Sequence, residues 1–246
     1  MRTLLREALS PVTSQIGFLR LPLADVGQGL AAWSRSLYGD VSVDPLSGPL
    51  PRLVRHLEPL TGGSRARELL LATAGGEWTA YLSCNLSGSD PGPVVGHLCT
   101  ALQCTGLTID VVPHTQGRRG GTGGRYGAVQ LTMFGPLRTD FLNQVRHISV
   151  AHDGSRWRFD ASGTEQDFET PERYTARKVR ERFTSDVLAE YCGALGLHPF
   201  DEHSYGPDAL LLTSAVQTAP DGKVMSIEQA QQFFGIDPAR DAQVPG

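Results

Sequence analysis

Apolar and polar residues alternate along much of the chain in paired runs separated by turn residues, which is typical of antiparallel β-hairpins. Residues 67–85 read RELLLATAGGEWTAYLSCN, with two apolar runs on either side of Gly75 and Gly76. Glycine readily adopts the positive φ angles of a tight turn, so the chain is expected to reverse direction there. This register sets Leu71 opposite Ala80 and gives the hairpin one apolar face.

A second hairpin is predicted in residues 146–161, RHISVAHDGSRWRFDA, with a two-residue turn at Asp153 and Gly154. On one face, this turn pairs two apolar residues of each strand: Val150 with Trp157 and Ile148 with Phe159. The other face is polar, and its charged side chains are candidate binding residues: His147, Arg156, Arg158 and Asp160. Arginine is enriched at the energetic centres of protein interfaces, so this face is expected to contact any partner of the sheet.

A glycine-rich stretch, residues 117–127 (GRRGGTGGRYG), separates two further alternating runs at residues 107–111 and 129–133. It is expected to join two antiparallel strands as a mobile hairpin tip, because glycine lowers the stiffness of a loop. Its three arginines would cost free energy to bury without partners, so they are expected to project into water. They complete the set of candidate binding residues: Arg118, Arg119 and Arg125.

Apolar residues spaced three or four positions apart predict helices between and after these strands. Residues 24–39 show this spacing and end at Gly39, a residue that commonly closes a helix. Another helix is expected to begin after Thr170, whose side chain can cap a helix that opens with Pro171. Further helices are expected at residues 49–60, 94–104, 184–196 and 226–235.

Together these elements predict a single α+β domain over residues 1–246, with a mostly antiparallel sheet and helices packed on one face of it. Residues 170–236 are expected to form a helical C-terminal part that includes a late strand at residues 209–213. Residues 237–246, which contain two prolines, are expected to be a loose tail.

Composition and charge narrow the class of protein. The chain has 246 residues, 40% of them hydrophobic and 20% charged, as in a globular protein long enough to bury a core. Its net charge of −4 is unevenly distributed, because residues 117–182 carry twelve basic and eight acidic side chains. Four cysteines without a CxxC pair are expected to be reduced and buried. The absence of a signal-peptide pattern and of long apolar runs predicts a cytoplasmic protein that does not enter a membrane.

Motifs for catalysis and for cofactors are weak. The glycine stretch has neither the GK[ST] of a phosphate loop nor the third glycine of a dinucleotide fingerprint. Residues 198–208, HPFDEHSYGPD, lack a common zinc spacing. A pairing of His147 with Asp160 could orient an imidazole as a base, although a surface pair explains it as well. The sequence therefore predicts no catalytic residue, no metal and no cofactor.

Two motifs, GGEWTAYLSCN at residues 75–85 and HPFDEHSYGPDALL at residues 198–211, resemble uncharacterised proteins of GC-rich actinobacteria. The resemblance implies no activity. The absence of catalytic motifs, the segregated charge and the basic loop favour a non-catalytic module that binds another protein, in the manner of an immunity or antitoxin-like factor. Two alternatives stay open: an enzyme without a recognisable motif, and a nucleic-acid-binding protein that uses the basic centre.

Overall fold

The computed structural model of the protein describes residues 1–63, 66–117, 123–215 and 222–238. The strands in these residues are β1 Gln15–Leu19, β2 Val41–Ser47, β3 Leu60–Thr61, β4 Arg67–Thr73, β5 Thr79–Ser83, β6 Gly106–Val112, β7 Ala128–Phe134, β8 Gln144–His152, β9 Trp157–Gly163, β10 Tyr205–Ser214 and β11 Val224–Met225. The helices are α1 Leu23–Tyr38, α2 Leu50–Arg55, α3 Gly92–Ala101, α4 Ser185–Ala194 and α5 Ile227–Phe234. None of the helices in these ranges is long and apolar enough to cross a membrane.

Nine strands form one sheet in the order β2-β10-β4-β5-β1-β6-β7-β8-β9, and every neighbouring pair is antiparallel. The two shortest strands, β3 and β11, pair separately. The expected α+β class and the mostly antiparallel sheet are thus confirmed.

Helices pack on both faces of the sheet, whereas the sequence suggested one face. Consecutive residues of β4 alternate between two cores, with Leu69 and Leu71 in the larger core and Leu70 in the smaller one. The larger core also takes residues of α2, α4 and α5, and the smaller core takes residues of α1 and α3. A strand that is buried on both faces has a continuous run of apolar residues. The three consecutive leucines of β4, residues 69–71, therefore indicate that both faces of the sheet are covered at this strand.

The helices of the smaller core cover only part of their face of the sheet. In the described residues this core includes no residue of β8 or β9, and β7 contributes only Phe134 at its edge. The polar side chains of β6–β9 that alternate with the residues of the larger core form a surface that α3 covers in part, at β6 and β7, and that lies beyond the helices of the smaller core at β8 and β9. We call this surface the open face; it carries Thr108, Asp110, Gln130, Thr132, His147, Ser149, Asp160 and Ser162.

The register of the β4–β5 hairpin is confirmed, with Leu71 opposite Ala80. The turn contains Gly76 at a φ of 71°, where other residues would be strained.

The predicted register of the β8–β9 hairpin is wrong by two residues. Val150 lies opposite Phe159, and the turn has four residues instead of two. The carboxylate of Asp153 accepts hydrogen bonds from the backbone N–H groups of Ser155 and Arg156, both at 2.9 Å, and this side-chain turn lengthens the loop. A shift by two residues keeps each side chain on its predicted face.

The C-terminal part contains α4 and α5, but the first of its predicted helices is absent. The helix expected after Thr170 is replaced by short 3-10 turns at Pro171–Thr175 and Val179–Glu181, and β10 lies in the sheet between β2 and β4. A buried network holds this segment: Arg146 of β8 binds the carboxylate of Glu169 through Nε at 2.9 Å and Nη2 at 2.6 Å. Glu169 also accepts a hydrogen bond from Tyr174, so the chain is fixed by side chains instead of by helical spacing. Of the predicted tail, residues 239–246 lie outside the described residues.

Candidate functional site

A groove of about 780 Å³ opens beside the open face. Three parts of the chain bound it: the first two turns of α3, the polar side chains of β6–β8, and the β7–β8 connection (residues 135–143). We call it the α3 groove. Its size is in the range of sites that hold a small ligand or a few residues of a peptide.

The outer wall of the α3 groove is apolar and exposed. Phe141 and Leu142 line the groove, and with Leu137 in the same connection they are 67%, 68% and 72% exposed. Few large apolar side chains in the described residues are exposed, and Leu137, Phe141 and Leu142 are the three with the highest exposure. A cluster of this kind is typical of a surface that another molecule covers.

The β7–β8 connection is held against α3 by one buried amide. Asn143 Nδ2 donates hydrogen bonds to the backbone oxygens of Gly96 in α3 and Gly135, both at 2.8 Å. A Cβ at Gly96 would lie 3.4 Å from both the Asn143 side chain and the ring of Phe134, which is ordinary van der Waals contact. The apolar wall is therefore anchored, although its side chains are in water.

Asp110 lies on the floor of the groove. Its neighbours across the sheet are Gln15 in β1 and Gln130 in β7. Burial disfavours the charged carboxylate and raises the pKa of Asp110 to about 7; the guanidinium of Arg125 opposes this rise and Asp90 adds to it. Within the described part of the chain, no donor forms a hydrogen bond with this carboxylate. Asp110 is thus a poorly solvated acid that faces an open cavity.

His147 also lines the groove, as one of the predicted binding residues. Its Nδ1 lies 2.9 Å from the hydroxyl oxygen of Thr132 on the neighbouring strand. Burial lowers the pKa of His147. The positive charge of Arg146 lowers this pKa further, whereas the negative charge of Asp160 raises it. The imidazole is therefore neutral at pH 7 and brings polarity to the groove without charge.

The other residues predicted on this hairpin do not reach the groove. Asp160 is exposed on β9 and lies opposite Ser149, so it is not the cross-strand partner of His147. Arg156 and Arg158 are exposed at the turn end of the hairpin, where Arg158 forms an ion pair with Asp153. The structure brings one of these four residues, His147, into the site.

Arg125 was expected at an exposed loop tip, and this expectation is wrong. Its guanidinium is buried and donates hydrogen bonds to Ser14 Oγ at 3.0 Å and to the backbone oxygen of Ser87 at 3.4 Å. Its Cζ also lies 5.7 Å from the centre of the Phe234 ring. Burial lowers the pKa of Arg125 to about 10, against the attraction of Glu7 and Asp110. Arg125 is therefore part of the interior.

The local backbone explains this burial. Thr115 donates its backbone N–H to the carbonyl of Arg125 at 2.9 Å, and its hydroxyl accepts the N–H of Arg125 at 2.8 Å. The strand pairing thus continues past β6 and β7, and the predicted hairpin between them is confirmed, with Ile109 opposite Leu131. Arg118 and Arg119 lie outside the described residues.

A second, smaller depression of about 330 Å³ adjoins the groove on the other side of Asp110. Aromatic rings and an imidazole border it: Tyr126, His152 and Phe234. The rings of Tyr126 and His152 stack at 5.3 Å with an angle of 6° between their planes. Asp110 therefore stands between two depressions on the same face.

Sequence reasoning did not single out Asp110, Phe141 or Leu142. The segment LTIDVV contains a signal for Asp110, because this one acid interrupts an apolar strand. It lies two residues after Thr108, so both side chains are on the same face of the strand. Phe141 and Leu142 are adjacent apolar residues in a segment that belongs to no predicted element, which favours an exposed connection.

The described residues include no group of three or more His, Cys, Asp or Glu side chains placed to hold a metal ion. In the segment 198–208, His203 Nδ1 lies 3.1 Å from a carboxylate oxygen of Asp201, and both side chains are exposed. The four cysteines are free and buried, and burial raises the pKa of Cys192 to about 12, which leaves that thiol unreactive.

Comparisons with protein-family models, curated proteins and solved structures found no match to this chain. The resemblance to actinobacterial proteins therefore stays a prediction, and function has to be inferred from the site.

Proposed function

We propose that this protein is a non-catalytic binding module that holds a segment of another protein in the α3 groove. The observation that carries the proposal is the exposed apolar wall formed by Phe141 and Leu142, beside the part of one sheet face that extends beyond the helices of the smaller core. Protein interfaces commonly combine such an apolar centre with a polar rim.

Burial of this wall would contribute favourably to the free energy of binding. Full burial of a Phe or Leu side chain contributes about 1.5–3 kcal/mol. Because Asn143 already fixes the connection to α3, a partner has little ordering entropy to overcome there. A partner that covers Leu137, Phe141 and Leu142 gains this energy without unfolding any element of the chain.

The charge of the groove favours a protein over a nucleic acid. Among the described residues that line it, the acidic side chains are Asp90 and Asp110, and the one permanent cation is Arg138 at the rim. A nucleic-acid site needs several cations that face the phosphates. Of the basic side chains in the central region that the structure describes, Arg125 and Arg146 are buried in internal bonds, whereas Arg156, Arg158, Arg173 and Arg177 are exposed but do not line the groove.

Proton transfer by Asp110 is a second candidate function, because a carboxyl group with a pKa of about 7 suits a general acid or base. Among the described residues, no side chain forms a hydrogen bond with Asp110 that would orient it, and His147 contacts Thr132 instead. This arrangement supports binding more strongly than catalysis.

An immunity or antitoxin-like role in the cytoplasm fits the same proposal. Such factors act by occupying a surface of one partner protein, which an anchored apolar wall can do. The free, buried cysteines are typical of proteins from reducing compartments, and they support this location.

The proposal can be tested by selecting binders from a random peptide library displayed on phage, with the full chain as the target. Affinities of the selected peptides are then measured for the wild type and for the double variant Phe141→Ala, Leu142→Ala. We expect the double variant to bind at least about tenfold more weakly, which corresponds to the loss of about 1.4 kcal/mol.

The matched control is Leu37→Ala, because Leu37 is 53% exposed but lies on α1 away from the groove. Its affinity should equal that of the wild type. Peptides that bind the double variant as tightly as the wild type would show that the wall is ordinary surface, and the proposal would then be wrong.

A further inference from the structure

The charges around Asp110 indicate what a segment bound in the α3 groove must supply. The charged groups that act on the carboxylate are Arg125 and Asp90, while the neutral His147 and, at the rim, Arg138 line the same groove. The hydrogen bonds of the Arg125 guanidinium go to Ser14 and Ser87, so this cation attracts Asp110 without donating to it. Burial leaves the carboxyl group little water, and in the described residues it has no hydrogen-bond donor of its own.

A partner that closes the groove removes that water. An ionised carboxylate that loses water without gaining a donor is strongly unfavourable, whereas a cationic donor restores its hydrogen bonds and charge balance. A cation of the bound segment at the position of Asp110 would therefore hold the carboxyl group in its ionised form, which burial alone disfavours.

We propose that the partner segment places a lysine or arginine side chain against Asp110, next to an apolar side chain that covers Phe141 and Leu142. This inference rests on the function proposed above. The long aliphatic stem of either cation can lie along the apolar wall while its charged end reaches the floor.

The sheet register sets the spacing of the two side chains in the partner. Phe134, at the apolar end of the groove, lies opposite Gly106, and Asp110 is four residues further along β6. Strands advance about 3.3 Å per residue, so the two positions are about 13 Å apart. An extended segment would carry its apolar and basic residues about four positions apart.

This spacing separates the proposal from a general preference for basic peptides. Peptides drawn to the chain by net charge alone would carry basic residues at any position. The peptides selected for the groove should instead share one basic position at a fixed distance from an apolar one.

The test is a double-mutant cycle with the selected peptides whose binding depends on Phe141 and Leu142. The basic residue of the peptide is replaced by glutamine, and Asp110 of the protein is replaced by asparagine. We expect Lys→Gln or Arg→Gln in the peptide to weaken binding to the wild type at least about tenfold and to have less than about a twofold effect on Asp110→Asn.

Asp160→Asn is the matched control, because it removes the same charge from an exposed position on β9 outside the groove. It should leave the effect of the peptide change intact. The glutamine-substituted peptide should bind Asp110→Asn and the wild type with comparable affinity, which shows that the variant keeps its fold.

The outcomes separate this inference from the proposed function. Peptides that require Phe141 and Leu142 but carry no basic residue, or that tolerate its loss, overturn the inference and leave the function standing. Peptides that depend on neither the wall nor Asp110 overturn both.

Discussion

Two charged residues near the open face differ from what their neighbours in the sequence suggest. Arg125 stands in a glycine-rich stretch that reads as an exposed loop, and it is buried between Ser14, Ser87 and Phe234. Asp110 stands in an apolar strand that reads as core, and it faces a cavity. Flexibility and hydrophobicity of the surrounding sequence are averages over several residues, whereas burial depends on contacts made by distant ones.

At the same scale, replacing Arg125 by alanine should destabilise the fold. The substitution removes a buried cation that offsets the charges of Glu7 and Asp110 and leaves its hydrogen-bond partners unsatisfied. We expect the free energy of unfolding in urea to fall by about 3–5 kcal/mol. The exposed Arg156→Ala should change it by less than about 0.5 kcal/mol. An equally small effect of Arg125→Ala would mean that this arginine is exposed after all.

Asp110 should make stability fall as pH rises through the weakly acidic range. Its pKa is raised from the ordinary value of 3.8 to about 7, so between these values the folded state keeps a proton that the unfolded state releases. The extra stability that this bound proton gives the folded state is therefore complete below pH 4 and is lost by about pH 7. Over this range the free energy of unfolding falls by up to about 1.4 kcal/mol per pH unit.

Urea unfolding of Asp110→Asn between pH 4 and pH 8 checks this linkage. The stability of the variant relative to the wild type should rise from pH 4 to pH 7 and then level off. A constant difference over the whole range would show that the carboxylate is well solvated and has an ordinary pKa.

At the scale of elements, hairpins with strong turn residues were predictable and turns made by side chains were not. Two adjacent glycines fix the β4–β5 register, and the prediction was correct to the residue. In the β8–β9 hairpin, Asp153 satisfies two backbone N–H groups with its carboxylate and adds two residues to the turn. The alternation of side chains survived the error, which is why the polar face that contains His147 was still identified.

The segment after β9 shows a second limit of local reasoning. Thr170 and Pro171 form a good helix start by local preference, yet the buried contact between Arg146 and Glu169 holds the chain in another path. The side chains of this ion pair are 6% and 0% exposed. Local propensity contributes a few tenths of a kcal/mol per residue, so a buried network of this kind overrides it.

At the scale of the whole molecule, the site arises from an uneven distribution of helices over one sheet. α1 and α3 cover one part of a face, and β7–β9 extend beyond them with the anchored connection at their edge. The strand order that produces this overhang depends on β10, which enters the sheet from the C-terminal part. Sequence patterns predicted most of the strands of the sheet but not β2, and they carried no information on strand order, so the groove could not be located from them.

Hydrogen–deuterium exchange of the full chain, with and without a bound peptide selected as above, tests the central claim most directly. The claim is that the α3 groove is the binding site, so added protection should appear in the connection at residues 135–143 and in the first two turns of α3. Residues 36–47, which include the far edge strand β2, should be unchanged. Protection at another surface, with residues 135–143 exchanging as fast as in the free protein, would contradict the account.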